Sequence, residues 1–281
     1  MEVKKMGFES HLAGRVALIT GGNGGIGGTF ARALAACGCE VLILGRSEQK
    51  SLAVAEDIRA KGGKAEIITA DVTDEKAMQS VAGQIKERFG GLDILINAAG
   101  GNVRAATVPQ EQLSQGGDAT LFDVASDAIQ QELDLNLRGT WLPCKVLTPL
   151  MEGREGACIL NISSMSAFTP LTKIPGYSAA KAGVSSFTRW LATYLARSGI
   201  RVNALAPGFF ATEQNHALQF NEDGTPKPRL QRIIAGTPMG RLGELEELTG
   251  AMLFLVDEQM SGFVTGVVLP VDGGFSAYSG V

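Results

Sequence analysis

The chain has 281 residues, 45% of them hydrophobic and 19% charged, with a formal net charge of −4. That balance argues against disorder, and with no basic run there is no electrostatic footprint for nucleic acid. No apolar stretch is long enough to span a bilayer, and Met1–Gly14 has lysines but no apolar h-region; a cytoplasmic protein without nucleic-acid or membrane partners is therefore expected.

In chain order, short apolar runs bounded by turn residues alternate with helical patterns. Arg15–Thr20, Glu40–Leu44, Ala65–Thr69 and Leu92–Asn97 read as buried strands, followed by Cys158–Ser163, Arg201–Ala206 and Val267–Val271. Helical periodicity covers Gly28–Cys37, Ser51–Lys61, Lys76–Phe89, Ala128–Met151, Tyr177–Arg197 and Leu245–Leu255. This alternation predicts an α/β fold, a Rossmann-type doubly wound parallel sheet flanked by helices on both faces. No repeat or Pro/Gly-rich linker divides it, so residues 1–281 read as a single dinucleotide-binding domain. Two stretches break the pattern, residues 101–127 and 209–240. Both follow strands at the sheet end where open α/β folds bind ligands, so they read as substrate loops, with plain surface insertions as the alternative.

The four cysteines are Cys37, Cys39, Cys144 and Cys158, and the only histidines are His11 and His216. Cys37-x-Cys39 lacks a second Cys/His pair at ligand spacing. The cysteines read as small buried hydrophobes in a reducing compartment, and no metal is expected.

The first strand runs into Thr20-Gly-Gly-Asn-Gly-Gly-Ile-Gly27. Strand before and helix after is the context a phosphate-binding turn needs. Gly21, Gly25 and Gly27 clear side chains from the path between backbone amides and a phosphate, with Asn23 and Ile26 between them. A purely structural turn is the alternative. Asp71 and Val72 follow the third strand, where they meet an adenine. Asn97, Ala98 and Gly100 follow the fourth, beside the adenine ribose. Pro207 and Gly208 follow the sixth, against a nicotinamide. Their order at successive strand ends predicts one extended dinucleotide site. At the second strand's end stands Leu44-Gly45-Arg46-Ser47. Gly45 replaces the acid that would bind a ribose 2′-hydroxyl, and Arg46 can pair with a 2′-phosphate, so NADP(H) is favoured over NAD(H).

The chemistry gathers at Ser164, Tyr177 and Lys181. Tyr177 and Lys181 are four residues apart on one helix and share a face. A nearby ammonium would bring the phenol, ordinarily near 10, toward neutrality as an acid/base. Ser164 would hold the substrate oxygen. Asn136 is a poor helix-interior residue inside the long Ala128–Met151 helix, and predicts a local opening where a water links Lys181 to solvent. Pro143 in the same helix predicts a kink.

Together these motifs resemble the short-chain dehydrogenase/reductase family over about Leu12 to Gly274. The resemblance implies hydride transfer at a nicotinamide, a catalytic tetrad of Asn136, Ser164, Tyr177 and Lys181, no catalytic metal, and contact of Lys181 with the nicotinamide ribose. It also implies a homo-oligomer, commonly a tetramer. The usual Ser-to-Tyr spacing selects Ser164 over Ser163. Asn97-Ala-Ala-Gly departs mildly from the commoner Asn-Asn-Ala-Gly. The tail from Leu269, Phe220-Asn-Glu-Asp-Gly and Thr237-Pro-Met-Gly-Arg241 are similar to the sugar-acid branch that interconverts D-mannonate and D-fructuronate. Such a small-molecule substrate needs a cation and hydrogen-bonding groups, for which Asn102, Arg104, Lys173 and His216 are candidates beside Ser164 and Tyr177. Other readings are a gluconate or polyol dehydrogenase, a 3-ketoacyl reductase, or a non-catalytic dinucleotide-sensing regulator on the same fold.

Overall fold

A computed structural model describes residues 11–117, 119–211, 221 and 223–280. Seven strands form one parallel sheet: β1 (Val16–Thr20), β2 (Glu40–Gly45), β3 (Lys64–Thr69), β4 (Ile94–Asn97), β5 (Cys158–Ile162), β6 (Arg201–Pro207) and β7 (Val268–Val271). Their order is β3-β2-β1-β4-β5-β6-β7. The chain therefore reverses its winding direction at β1, and Thr20 pairs in register with both Leu44 of β2 and Asn97 of β4. That switch point opens a crevice at the carboxyl ends of the strands.

Helices cover both faces, because residues of a strand alternate sides. Ala17 and Ile19 of β1 face one core, with α1 (Gly25–Ala36), α2 (Glu48–Ala60) and α8 (Glu247–Val256). Val16 and Leu18 face the other, with α3 (Glu75–Phe89), α5 (Gly139–Leu147) and α6 (Pro175–Leu195). A sheet buried on both faces explains why the central strands read as unbroken apolar runs. Capping sets the helix starts slightly earlier than periodicity suggests. Ser47 accepts from Lys50 N at the head of α2, and Asp74 accepts from Lys76 N and Ala77 N at the head of α3.

Two regions differ from the sequence reading. The stretch 209–240 is not all loop: Pro228–Ala235 forms α7, with Leu230 and Ile233 buried on one side. Pro228 takes the first helical position, where its missing N–H costs nothing and its fixed φ suits the start of a helix. The stretch 101–127 holds three short 3₁₀ turns, at Arg104–Ala106, Leu113–Gln115 and Leu121–Asp123. The long helix is continuous from residue 126 to 151 but not uniform. α4 (Ser126–Leu133) passes into a π segment, Asp134–Arg138, before α5 resumes α geometry. Pro143 lies inside α5, and the departure from α geometry sits about one turn before it. A four-residue helix, α9 (Glu258–Ser261), precedes β7.

Candidate active site

The turn after β1 is closed to side chains. Gly21 has φ 63°, and a Cβ there would lie 2.8 Å from the Ala99 backbone. A Cβ on Gly27 would run into the Gly21 carbonyl. Gly24 caps α1 without a side chain, and the first turn carries no acid. Uncapped first-turn amides and the helix dipole favour an anion here. A backbone cradle that any Cβ would fill, at the head of a helix, fits a dinucleotide pyrophosphate. The Asn23 side chain bridges away from this cradle, donating to Ser47 O at 3.2 Å and Ser51 Oγ at 3.1 Å. Arg46 is exposed beside it.

Farther along the strand ends, Asp71 Oδ1 accepts from Thr73 N at 2.8 Å and Thr73 Oγ1 at 2.7 Å. Burial alone would raise this carboxyl, but the two Thr73 bonds and the Arg46 charge hold it below the usual aspartate range. Val72 is buried next to it. Ala98 N donates to Thr20 O and Ala99 N to Thr20 Oγ1, which brings the 97–100 turn against the glycine turn. Asn97 corrects the sequence reading. Its side chain turns into the sheet, where Nδ2 donates to Asn161 Oδ1 at 2.9 Å and Cys144 Sγ at 3.1 Å. It ties β4 to β5 and α5 instead of facing the crevice. Pro207 ends β6, and Gly208 N donates to Val271 O.

The reacting end is built from α6, the π segment and the end of β5. Ser164 follows β5 and is 8% exposed; its Oγ accepts from Ser166 N at 3.1 Å, and its hydroxyl acts on the Tyr177 phenol, favouring the phenolate. Ser163 points elsewhere: its hydroxyl is 2.7 Å from Ser185 Oγ and donates to Lys181 O, inside the protein. Of the two serines, Ser164 is the one at Tyr177. Lys181 is buried, and its Nζ donates to Ile162 O at 2.7 Å and stands 5.7 Å from the Tyr177 ring centre. Asn136 is fully buried in the π segment. Its Oδ1 accepts from Gly101 N at 3.0 Å, and its Nδ2 donates to Gly101 O at 2.9 Å. Gly100 joins the groups, since a Cβ there would lie 2.8 Å from Asn136 Oδ1 and 3.3 Å from Lys181 Nζ.

The electrostatics differ from the simple expectation that Lys181 lowers Tyr177. Burial pushes the phenol above its ordinary value, the Ser164 hydroxyl opposes this, and the charge of Glu132 adds to it. Burial brings Lys181 down to about 8, with Glu132 opposing. Nζ is spent on the β5 carbonyl, so desolvation outweighs the i, i+4 pairing.

Glu132 is the residue that sequence reading missed. It is fully buried one helical turn before Asn136, and its Oε2 accepts from Val103 N at 2.5 Å. A carboxylate four residues ahead of Asn136, on the same helix face, was the available signal.

Of the substrate candidates, Asn102 is exposed and donates to Thr107 Oγ1, and Arg104 is exposed. Lys173 is half-buried, four residues before Tyr177, with Val108 N donating to its carbonyl at 2.7 Å. His216 lies outside the described residues. Among the described residues, Cys39, Cys144 and Cys158 are buried free thiols, and no cluster of His, Cys, Asp or Glu could hold a metal ion.

The chain matches the family model described as enoyl-(acyl carrier protein) reductase over residues 21–276. It is a short-chain dehydrogenase/reductase. An uncharacterized oxidoreductase, UxuB, of Bacillus subtilis is 46% identical, covering 98% of this chain and 99% of its own. The gluconate 5-dehydrogenase of Gluconobacter oxydans is 35% identical over 94% of this chain and 96% of its own. Among solved structures, a provisionally named D-mannonate oxidoreductase from Haemophilus influenzae with bound NAD is 47% identical, with TM-score 0.93 over 97% of this chain and 98% of that one. A gluconate 5-dehydrogenase from Burkholderia cenocepacia in complex with NADP and tartrate is 32% identical, with TM-score 0.79 over 95% and 96%. This short-chain dehydrogenase/reductase is an oxidoreductase that uses a nicotinamide dinucleotide and acts on CH–OH groups. No helix among its described residues is long and apolar enough to cross a membrane.

Proposed function

We propose that the chain interconverts the secondary alcohol and ketone of a sugar acid, D-mannonate and D-fructuronate, with NADP(H) preferred. The observation that carries the substrate class is Lys173. Among the described residues it is the one non-glycine residue with positive φ, at 71°. Such a conformation costs on the order of 1–3 kcal/mol and persists where the surroundings enforce it, often at a site. Here it puts a cationic residue, whose charge acts on Glu111, in the loop between Ser164 and Tyr177; recognition of a carboxylate-bearing substrate requires such a cation. Similarity to the Haemophilus influenzae protein supports the same class.

In this reading Tyr177 gives its proton to the carbonyl oxygen during ketone reduction and takes it back during alcohol oxidation. The Ser164 hydroxyl would hold that oxygen, and Lys181 would exchange the proton with solvent through a water at the Asn136 opening. The bound nicotinamide supplies or accepts the hydride at the carbinol carbon. Gly21–Gly27 would hold its pyrophosphate, Asp71 and Val72 the adenine, and Pro207–Gly208 the nicotinamide end. Preference for NADP(H) rests on Arg46, exposed and electrically coupled to Asp71, and on Gly45 in place of an acid.

The proposal extends to a cytoplasmic homotetramer. Trp190 and Tyr194 stack on the exposed side of α6 at 5.1 Å, with Phe187 beyond at 6.3 Å, and Trp141 is exposed on α5. Exposed aromatics on two neighbouring helices suit a contact between copies.

The test is initial-rate assay of D-fructuronate, 5-ketogluconate, neutral ketoses and an acetoacetyl thioester, each with NADH and NADPH. Reduction of D-fructuronate well above the others carries the reading. Preference for 5-ketogluconate moves it to the gluconate class, and turnover of only neutral ketoses or thioesters removes the sugar-acid reading. Light scattering of the purified protein reads the oligomer.

A further inference from the structure

We propose that Glu132 is a positioning residue of the proton machinery, a buried carboxylate that acts as counter-charge to Lys181 and ties the Gly101–Val103 loop to Asn136. The residues are joined by geometry. Glu132 is fully buried at the end of α4, where the helix opens into its π segment. Its Oε1 lies 3.3 Å from Asn136 Nδ2, and its backbone carbonyl accepts from the same amide at 3.0 Å. Its Oε2 takes the Val103 N–H at 2.5 Å. Asn136 in turn clasps Gly101 through both amide atoms. One carboxylate and one carboxamide therefore hold two residues, Gly101 and Val103, of the loop that follows β4.

The same side chain lies against α6 immediately before the tyrosine. A Cβ on Gly176 would lie 3.2 Å from Glu132 Cγ, so α6 approaches α4 closely at the residue preceding Tyr177. On the opposite side of this cluster, Gly100 brings Asn136 Oδ1 and Lys181 Nζ around one point. The charged and titratable groups on the elements around Glu132 are Asp127 on α4, Tyr177, Lys181, Arg189 and Tyr194 on α6, Arg104 after β4, and Asp134 and Arg138 in the π segment. Lys181 is the one whose charge acts on Glu132, and Glu132 acts on both Lys181 and Tyr177. Burial pushes the Glu132 carboxyl up, while the Val103 bond and the Lys181 charge favour its ionised form.

The chemical consequence has one sign. Ketone reduction needs Tyr177 protonated and Lys181 as ammonium. An anion at 132 favours both forms, because a negative charge disfavours phenolate and favours ammonium. Removing it narrows the working range from the alkaline side.

The experiment compares Glu132→Gln, Glu132→Asp and wild type, with Tyr177→Phe as spectral blank. Gln retains the shape and an oxygen for Val103 N, whereas Asp retains the charge. Phenolate absorbance of Tyr177 is followed against pH, which needs no substrate and holds whichever ketone the enzyme takes. The expected result is a Tyr177 titration displaced to lower pH by roughly half a unit or more in Glu132→Gln, and wild-type behaviour in Glu132→Asp. The alkaline limb of kcat/KM, measured with whichever ketone is turned over, moves the same way. A Glu132→Gln titration that superimposes on wild type overturns the proposal. So does an equal displacement in both variants, which would reduce Glu132 to a steric tie of the loop. If Glu132→Gln does not fold, the neutral, similarly sized Glu132→Met takes its place: a Tyr177 titration displaced to lower pH sustains the proposal, and one that superimposes on wild type overturns it.

Discussion

The Asn23 side chain lies over Gly45: a Cβ built on Gly45 would stand 2.8 Å from Asn23 Oδ1, while Asn23 Nδ2 holds the Ser47 carbonyl and the Ser51 hydroxyl. The end of β2 is therefore filled from the glycine turn, not from its own residue. An acid at position 45, the usual route to ribose 2′-hydroxyl binding, has no room unless Asn23 gives way. Gly45→Asp alone is expected to weaken both NADH and NADPH. Paired with Asn23→Gly, it is expected to favour NADH. Steady-state kcat/KM with each cofactor decides, and an NADH gain from Gly45→Asp alone would contradict the interlock.

Arg46 offers a separate handle on the same choice. Arg46→Asp should lower kcat/KM for NADPH about 10- to 100-fold, the scale of a lost charge-assisted hydrogen bond, and leave NADH nearly unchanged. Equal losses with both cofactors would remove Arg46 from 2′-phosphate recognition.

The glycine cradle predicts a binding defect with little loss of fold. Gly21→Ala places a methyl against the Ala99 backbone at a positive φ. Dinucleotide affinity measured by calorimetry is expected to fall at least tenfold. The strain costs about 1–3 kcal/mol of stability. Unchanged affinity would show that the turn does not hold the pyrophosphate.

Tyr177→Phe should lower kcat by about 10²- to 10⁴-fold while dinucleotide binding persists. In the wild type, burial brings Lys181 down to about 8. Its ammonium is present below that value and lost above it, so kcat/KM for ketone reduction is expected to decline as pH rises through about 8. A non-catalytic dinucleotide sensor would show no turnover to lose.

At the opposite end of the sheet, Asp93 is nearly fully buried and accepts from Val16 N and, bidentately, from Arg154, each at 2.8 Å. Burial would raise its pKa, but these partners and Arg15 hold it below the ordinary carboxylate range. A depressed folded-state pKa contributes stability that is present above the unfolded value of about 3.9 and is lost as pH falls through the folded one. Arg154→Ala leaves the carboxylate buried and short of partners. It should cost about 2–3 kcal/mol in urea unfolding at neutral pH, and acid unfolding should begin at higher pH.

The order of the seven strands and most of their helices, the parallel sheet, the glycine turn and the Tyr177–Lys181 spacing were legible in the sequence by itself. Each is a local property: a two- or 3.6-residue period, a run of glycines between strand and helix, or two side chains one helical turn apart. The weak spot in the long helix was legible too, because Asn136 is a poor interior former, and the π segment forms there. What only the tertiary structure decided are directions and pairings across distant segments. Asn97 turns into the sheet because β5 and α5 offer it Asn161 and Cys144. Asn23 fills the space above Gly45 because the glycine turn folds over β2. Glu132 becomes part of the site because α4 lies against α6 at Gly176 and beneath the loop at Val103. Tyr177 is raised instead of lowered because burial and the Glu132 charge are set by the packing of three elements, whereas the Tyr177–Lys181 spacing specifies only that the two side chains share a helix face.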